Sequence, residues 1–320
     1  MAADEPAIEV VDVHRTFDVR RRAGRLRRTR QVVRAVDGLS FDVARGEMVG
    51  LLGPNGAGKS TTVKMLTGIL VPTSGALRVV GLDPAAARTR LARRIGVVFG
   101  QRSGLWWDLP LRDSFALLRR IYAVSADQHA AALAEFVELL ELGELMDIPV
   151  RALSLGQRMR GEIAAALLHE PELLYLDEPT IGLDVVSKGR LRDFLRTINV
   201  ERGTTVVLTT HDLGDVERLC RRVLVVDHGR LVFDGSLDAL RRLDGTTRTV
   251  VVDLATSSPQ VEVAGAVVTR VDGPRQWLSL PSGASAAPVV AQLAAAYDVV
   301  DLAIQEPAIE DVVARLYQRG

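Results

Sequence analysis

Apolar residues along this chain gather in short, nearly unbroken runs: Glu47 to Leu52, Ile95 to Phe99, Leu173 to Asp177, Thr205 to Thr209 and Val223 to Asp227. Runs of that length without alternation are what strands of a parallel sheet look like when both faces are buried. Ile8 to Val13 alternates instead, as a half-buried strand does. Helical periodicity separates several of the runs, and strands alternating with helices predict an α/β fold. From Ser114 to Leu142 the period is helical throughout, with Phe115, Leu118, Ile121, Leu133, Phe136, Val137 and Leu140 on the apolar side. That stretch predicts a helical subdomain inserted into the sheet.

Near Asp244 and Gly245 the pattern changes. Arg248 to Leu254, Val267 to Val271, Trp277 to Leu280 and Val299 to Ile304 read as short strands. Val289 to Tyr297 and Ile309 to Tyr317 read as helices, with a Pro/Ser/Gly/Ala-rich linker over 281–288. The expected organisation is an α/β core over 1–244, its helical subdomain at about 101–156, and a small α+β accessory domain over 245–320. The accessory domain holds no cluster of His, Cys or paired acids that suggests chemistry.

Charge narrows the classes. Forty basic residues balance 40 acidic ones, and a neutral chain lacks the basic field of a general nucleic-acid binder. The single cysteine, Cys220, excludes an internal disulfide framework and fits a reducing compartment. No run approaches the ~18 apolar residues that span a bilayer. MAADEPAIEV carries acids where a signal peptide has basic and apolar regions, so a cytoplasmic protein is expected. One stretch departs from this balance: eight arginines fall between Arg20 and Arg34. They form either a solvated hairpin insertion or a patch facing anionic lipid or an acidic partner, where each charge contributes ~1 kcal/mol.

Lysine is scarce: only Lys59, Lys64 and Lys188 occur. Lys59 stands in Gly53-Pro-Asn55-Gly56-Ala-Gly58-Lys59-Ser60-Thr61, the pattern G-x-x-x-x-G-K-[ST] between an apolar strand and a helix. Glycines let successive N–H groups curl inward as an anion nest, and the following helix points its positive end at the same place. Lys59 is suited to reach β- and γ-phosphates, and Ser60 to ligate Mg²⁺. The second element is Leu173-Leu-Tyr-Leu-Asp177-Glu178, an apolar strand ending in two acids at the edge where α/β sheets bind ligands. Asp177 is suited to hold the metal and Glu178 to polarise an attacking water. Leu153-Ser154-Leu155-Gly156-Gln157 precedes a helical run, Arg158 to Leu168. Ser154 there is either an ordinary N-cap or part of a second phosphate-binding helix end.

In order and spacing, the phosphate loop, Gln101, LSLGQ, the strand ending in Asp177 and Glu178, Gly182-Leu183-Asp184 and His211 resemble the nucleotide-binding subunits of ATP-binding-cassette (ABC) transporters, over roughly residues 6–240. The resemblance implies a phosphate-loop ABC ATPase fold and a head-to-tail homodimer with two ATP molecules at the interface. Each ATP would touch the phosphate loop of one chain and Ser154, Gly156 and Gln157 of the other. It further implies that Gln101 senses Mg²⁺ and the water, that His211 contacts the γ-phosphate, that Asp184 couples the two sites, and that Phe17 stacks on adenine. Leu155 departs from the family, where glycine is common.

Lys59 and Ser154 lie only 95 positions apart, too close for the long coiled coil of chromosome-organising relatives. A single cassette without membrane helices looks like a subunit served by separate integral-membrane permeases, at the cytoplasmic face of the membrane. FGQRSGLWWDLP, with Trp106 and Trp107, LSLGQRMR and EPTIGLDVVSK are similar to a bacterial branch of exporter ATPases. The two tryptophans either plug the joint between lobes or line a groove for a permease helix. A rival class, a regulatory or nucleic-acid-associated ABC ATPase, draws its support from the arginine stretch.

Overall fold

The structure, a computed structural model, describes residues 5–22, 28–100, 103–210, 212–242, 248–257, 259–281, 283–305 and 309–319. Gln101 and His211 lie outside the described residues. The chain divides into two compact units, Met1–Asp234 and Gly235–Gly320.

The strands of the first unit are β1 (Ile8–Arg22), β2 (Arg28–Val43), β3 (Met48–Leu52), β4 (Ser74–Val79), β5 (Ile95–Val98), β6 (Leu173–Asp177), β7 (Thr205–Thr209), β8 (Arg222–Asp227) and β9 (Arg230–Ser236). Its helices are α1 (Lys59–Leu66), α2 (Arg88–Ala92), α3 (Leu111–Tyr122), α4 (Ala126–Leu139), α5 (Leu155–Leu167), α6 (Val185–Arg202) and α7 (Leu213–Leu219). Six strands form one sheet in the order β5-β6-β7-β3-β8-β9. From β5 to β8 all pairings are parallel. The register sets Thr209 opposite both Asp177 and Leu51. The carboxyl ends of β3, β6 and β7 therefore finish level, and whatever follows them shares one edge.

Continuous apolarity in these strands has its cause in burial on both sides. Val49, Leu51, Leu173, Tyr175 and Val207 share one core with Val63, Met65 and Leu66 of α1. The opposite face is closely covered too: a Cβ at Gly50 would meet Val216 of α7, and one at Gly96 the backbone of α5 at Ala166. Residues of a three-stranded antiparallel sheet, β2-β1-β4, complete the first core with Ile8, Val10, Leu39 and Phe41.

β1 continues well past Val13, the end expected from its alternation. It pairs with β2 through Arg20↔Arg30, Arg21↔Thr29 and Arg22↔Arg28, so these arginines lie on two paired antiparallel strands, while Arg25 and Arg27 lie outside the described residues. Backbone pairing specifies these strand ends without any apolar alternation. α3 and α4 are the inserted helices; Phe115 and Phe136 are fully buried, and Phe136 meets Phe194 of α6 edge-on at 5.8 Å.

The second unit holds α8 (Leu237–Arg242), β10 (Thr249–Leu254), β11 (Val267–Asp272), β12 (Arg275–Ser279), α9 (Ala287–Ala296), β13 (Val299–Gln305) and α10 (Ile309–Arg319). Its antiparallel sheet runs β11-β12-β10-β13. Val250, Val252, Leu278, Val289 and Leu293 make its core. Gln276 is fully buried and satisfied: its Oε1 accepts from Val261 N and its Nε2 donates to Pro259 O. Among the described residues no helix of either unit is long and apolar enough to cross a membrane.

Candidate functional site

β3 hands the chain to Gly53 at the level edge. No side chain fits there, because a Cβ at Gly53 would lie 2.3 Å from Val226 O. Gly58 has φ +106, and a Cβ on it would lie 2.4 Å from Ala35 O. Both positions require glycine, for close approach in the first case and for backbone conformation as well in the second. Gly58 is also the N-cap of α1 and offers no side-chain cap. The first-turn N–H groups of α1 are thus not engaged by a capping side chain, the arrangement that binds anions. Lys59 folds across the loop and donates to Gly53 O at 2.5 Å and Pro54 O at 3.1 Å. Burial lowers its pKa from the ordinary lysine value, while Glu178 and Asp177 pull it back up.

Ser60 shares a cleft of about 350 Å³ with Asp177, Glu178, Lys64, Phe99, Gly100 and Ile181. Asp177 caps the end of β6 and accepts a hydrogen bond from Thr209 Oγ1. Glu178 takes φ +54, a conformation rarely adopted by residues other than glycine. Its N–H donates to Thr209 O at 2.8 Å, and Thr210 Oγ1 donates to its Oε2 at 3.4 Å. Strained backbone held by a neighbouring strand is characteristic of functional positions. Sequence reading missed Thr209 and Thr210, although two hydroxyls closing an otherwise apolar strand were the available signal.

A buried polar network braces this edge. Thr180 Oγ1 donates to Asp215 Oδ2, and Arg192 donates to Asp215 Oδ1 through Nε, at 2.7 Å, and Nη2. Asp215 is fully buried and Arg192 nearly so. Lys188 Nζ reaches Asp212 Oδ2 at 2.6 Å. The start of α6 and the stretch just before it are thereby bonded to Asp212 and Asp215, on the segment that opens α7.

Ser154, Leu155, Gly156, Gln157 and Asp184 form a second group, away from the lining of that cleft. Ser154 and Gln157 make a reciprocal capping box on α5, with Ser154 Oγ accepting from Gln157 N at 3.2 Å and Gln157 Oε1 accepting from Ser154 N at 2.9 Å. Gly156 is buried, and a Cβ on it would meet Leu183 Cδ2 at 2.8 Å and Gly182 O at 3.1 Å. The glycine thus has a packing reason within its own chain. Leu155 lies against Gly182, where an added Cβ would come within 2.6 Å of its Cδ2. Asp184 caps α6, accepting from the N–H groups of Val186 and Ser187 and from Ser187 Oγ; these bonds, the Ser187 hydroxyl foremost, lower its pKa.

Phe17 lies apart on β1, opposite Val33, with the Arg15 guanidinium 4.6 Å from its ring centre. Asn55 and Gly56 are exposed on the phosphate loop, and Thr61 is half-buried in the first turn of α1. Trp106 and Trp107 are exposed at 38% and 51%, so they do not plug a joint. Arg158 of α5 lies 5.5 Å from the Trp107 ring centre.

Residues 36–181 match the family described as ABC transporter. The daunorubicin resistance ATP-binding protein DrrA3 of Streptomyces coeruleorubidus is 36% identical over 289 residues, covering 88% of this chain and 91% of the relative. The Nod factor export ATP-binding protein I of Paraburkholderia xenovorans (strain LB400) is 43% identical over 206 residues, covering 64% of this chain and 67% of the relative. Among solved structures, a dimeric ATP-binding cassette in a post-hydrolysis state with ADP and Pi superposes with TM-score 0.62 at 26% identity, over 72% of this chain and 98% of its own. A phosphate loop facing two strand-end carboxylates, joined to this breadth of kinship, makes the chain a member of the ABC transporter family, an ATP-hydrolysing cassette whose relatives include the ATP-binding proteins of exporters.

Proposed function

We propose that the chain drives an exporter, working as a head-to-tail homodimer beneath separate integral-membrane permeases at the cytoplasmic face of the membrane. The observation that carries the catalytic half of this reading is the single cleft shared by Ser60, Asp177 and Glu178 at the mouth of the phosphate loop. A hydroxyl and a carboxylate form an oxygen-only donor pair, which suits a hard cation such as Mg²⁺. Ser60 and Asp177 would hold that ion, which supplies charge neutralisation on the phosphates.

Phosphoryl transfer to water depends on positioning and on charge stabilisation. Lys59 and the first-turn amides of α1 bind the β- and γ-phosphates. Glu178, pinned to β7 through Thr209 O, orients the attacking water. Gln101 and His211 complete the cleft in this reading, Gln101 toward metal and water and His211 toward the γ-phosphate. Ser154, Gly156 and Gln157 serve the ATP of the partner subunit, Asp184 couples the two sites, and Phe17 stacks on adenine. The names of the relatives, Nod factor export and daunorubicin resistance, support export as the work being driven. The accessory unit and the arginine stretch carry no step of the chemistry.

Glu178→Gln tests the reading. The variant should bind ATP, lose most hydrolysis and double its mass in solution when ATP is added. Near-normal turnover would remove Glu178 from the reaction.

A further inference from the structure

Glu162 is a carboxylate where an apolar helix face is expected. It lies about two turns into α5, is 7% exposed, and is flanked by Gly161 and Ile163. Burial raises its pKa, against hydrogen bonds from Ser103, Gly104 and Leu105 that pull it down. A buried carboxylate is costly unless hydrogen bonds and nearby positive charge offset the loss of water, and here Arg158 also pulls the pKa down.

Those bonds all go to one short loop. Ser103 Oγ donates to Oε1, and Gly104 N donates to Oε2 at 2.9 Å. Leu105 N in turn donates to Ser103 Oγ at 3.1 Å. A Cβ at Gly161 would lie 2.9 Å from Leu111 Cδ2 of α3 and 3.3 Å from Leu105 Cδ1, so the helix is pared down where α3 and the loop both lie on it. Arg158, one turn earlier, covers Trp107, and Arg151 N donates to Trp107 O at 2.9 Å. Residues 103–107 are therefore fastened to the segment that carries the signature. Gly100, by contrast, belongs to the hydrolytic edge: a Cβ on it would meet Asp177 O at 2.9 Å and Glu178 Cβ at 3.4 Å. Three positions separate Gly100, at the edge that holds Glu178, from Ser103, on the loop held by Glu162.

We propose that Glu162 is a positioning residue, latching the loop after Gln101 to α5 so that a shift of the signature helix reaches both the hydrolytic edge and the Trp106–Trp107 surface as one movement. The inference rests on the reading of Glu178 as the hydrolytic carboxylate. Apolar replacement of Glu162 leaves the Gly104 N–H and the Ser103 hydroxyl to find other partners, and the loop keeps its hold on that segment only through Trp107. None of the residues assigned above to ATP is replaced, so binding of ATP is not touched.

The test uses the full chain with Trp277→Phe, so that Trp106 and Trp107 alone report by fluorescence. Glu162→Ala should lower kcat about tenfold or more with the KM for ATP within about threefold, and should abolish the ATP-induced change in tryptophan emission. Glu162→Gln keeps an acceptor for Gly104 N–H and a partner for Ser103, and should restore kcat to within about threefold of the parent. A purely packing role predicts instead that Glu162→Ala lowers thermal stability and ATP binding together, and that result overturns the proposal. So does an unchanged kcat with an unchanged emission response. Should Glu162→Ala fail to fold, Ser103→Ala decides from the exposed side of the same bond: wild-type kcat and emission response in that variant overturn the latch. Glu178→Gln in the same assay separates the two readings, since normal turnover there would remove the hydrolytic role of Glu178 whatever Glu162 does.

Discussion

Asp215 offers the sharpest test of how this fold is braced. Three hydrogen bonds converge on its carboxylate, two from Arg192 and one from Thr180. The side chain of Asp215 has no exposure and that of Arg192 only 10%, so solvent screening is slight. Asp215→Leu leaves the guanidinium buried without its counter-charge, a loss of ~3–5 kcal/mol. Arg192→Met strands the carboxylate in the same way, with a similar cost. Thr180→Val removes one bond to a charged acceptor, ~1.5–3 kcal/mol. The double variant Asp215→Leu with Arg192→Met removes both charges and leaves apolar volume, so it should be far less destabilised than the sum of its parents, and close to wild type. Urea unfolding of all four chains measures the cycle. Hydrogen exchange in α6 and α7 shows that the first unit is being read, since a chain of two units need not unfold in one step. Additive single costs, to within ~0.5 kcal/mol, would mean that the pair is not coupled and that the network does no bracing.

Other expectations follow from the same geometry. Lys59 must be charged to bind phosphate, and burial lowers its pKa; kcat/KM for ATP should fall as pH rises through a value below that of a free lysine, and an alkaline limb at or above the free value contradicts this. Glu172 is held below the ordinary carboxylate range chiefly by the Arg94 hydrogen bond, so its contribution is present at neutral pH and lost as pH falls through that depressed value. Its side chain is 39% exposed; Glu172→Gln should therefore cost only ~1 kcal/mol at neutral pH, and the melting temperatures of variant and parent should converge on acidification. Gly96→Ala would put a methyl 2.4 Å from Ala166 O and 2.9 Å from Leu174 Cδ1, forcing α5 from β5 at ~1–3 kcal/mol, readable as a drop in the urea midpoint. Mixing Lys59→Ala chains with Ser154→Arg chains, each inactive alone, should restore ATPase activity; no recovery in proven heterodimers counts against the head-to-tail arrangement.

The buried parallel strands were legible because burial on both faces writes itself as continuous apolarity: β6 and β7 begin and end at the expected residues. β2 and β4 were not legible. β2 begins among the arginines, and β4 is SGALRV, exposed over most of its length; both are specified by pairing to β1, which no local window contains. The phosphate loop and the acids after β6 announce themselves by spacing. The network of Thr180, Arg192 and Asp215 does not, since a charged residue in a helix reads as a solvated face until the fold buries it. Glu162 was invisible for the same reason. Leu155 looked like a flaw in the signature, and the structure gives it a contact, Gly182, that comes from a distant turn.

The capping box at the head of α5 has a chemical polarity. Ser154 Oγ accepts from the Gln157 N–H, so one of the oxygen's two lone pairs is turned into the helix and its O–H bond is left to point elsewhere. The exposed hydroxyl is thus presorted as a donor, with its rotor steadied before any ligand arrives. A group rich in lone pairs, such as a phosphate oxygen, meets a proton there; a group that offers only protons is left with the one lone pair that Gln157 does not use. Aspartate at the same position would cap the helix equally well and present no proton at all. Holding the helix and choosing what may approach it are therefore separable properties of one side chain.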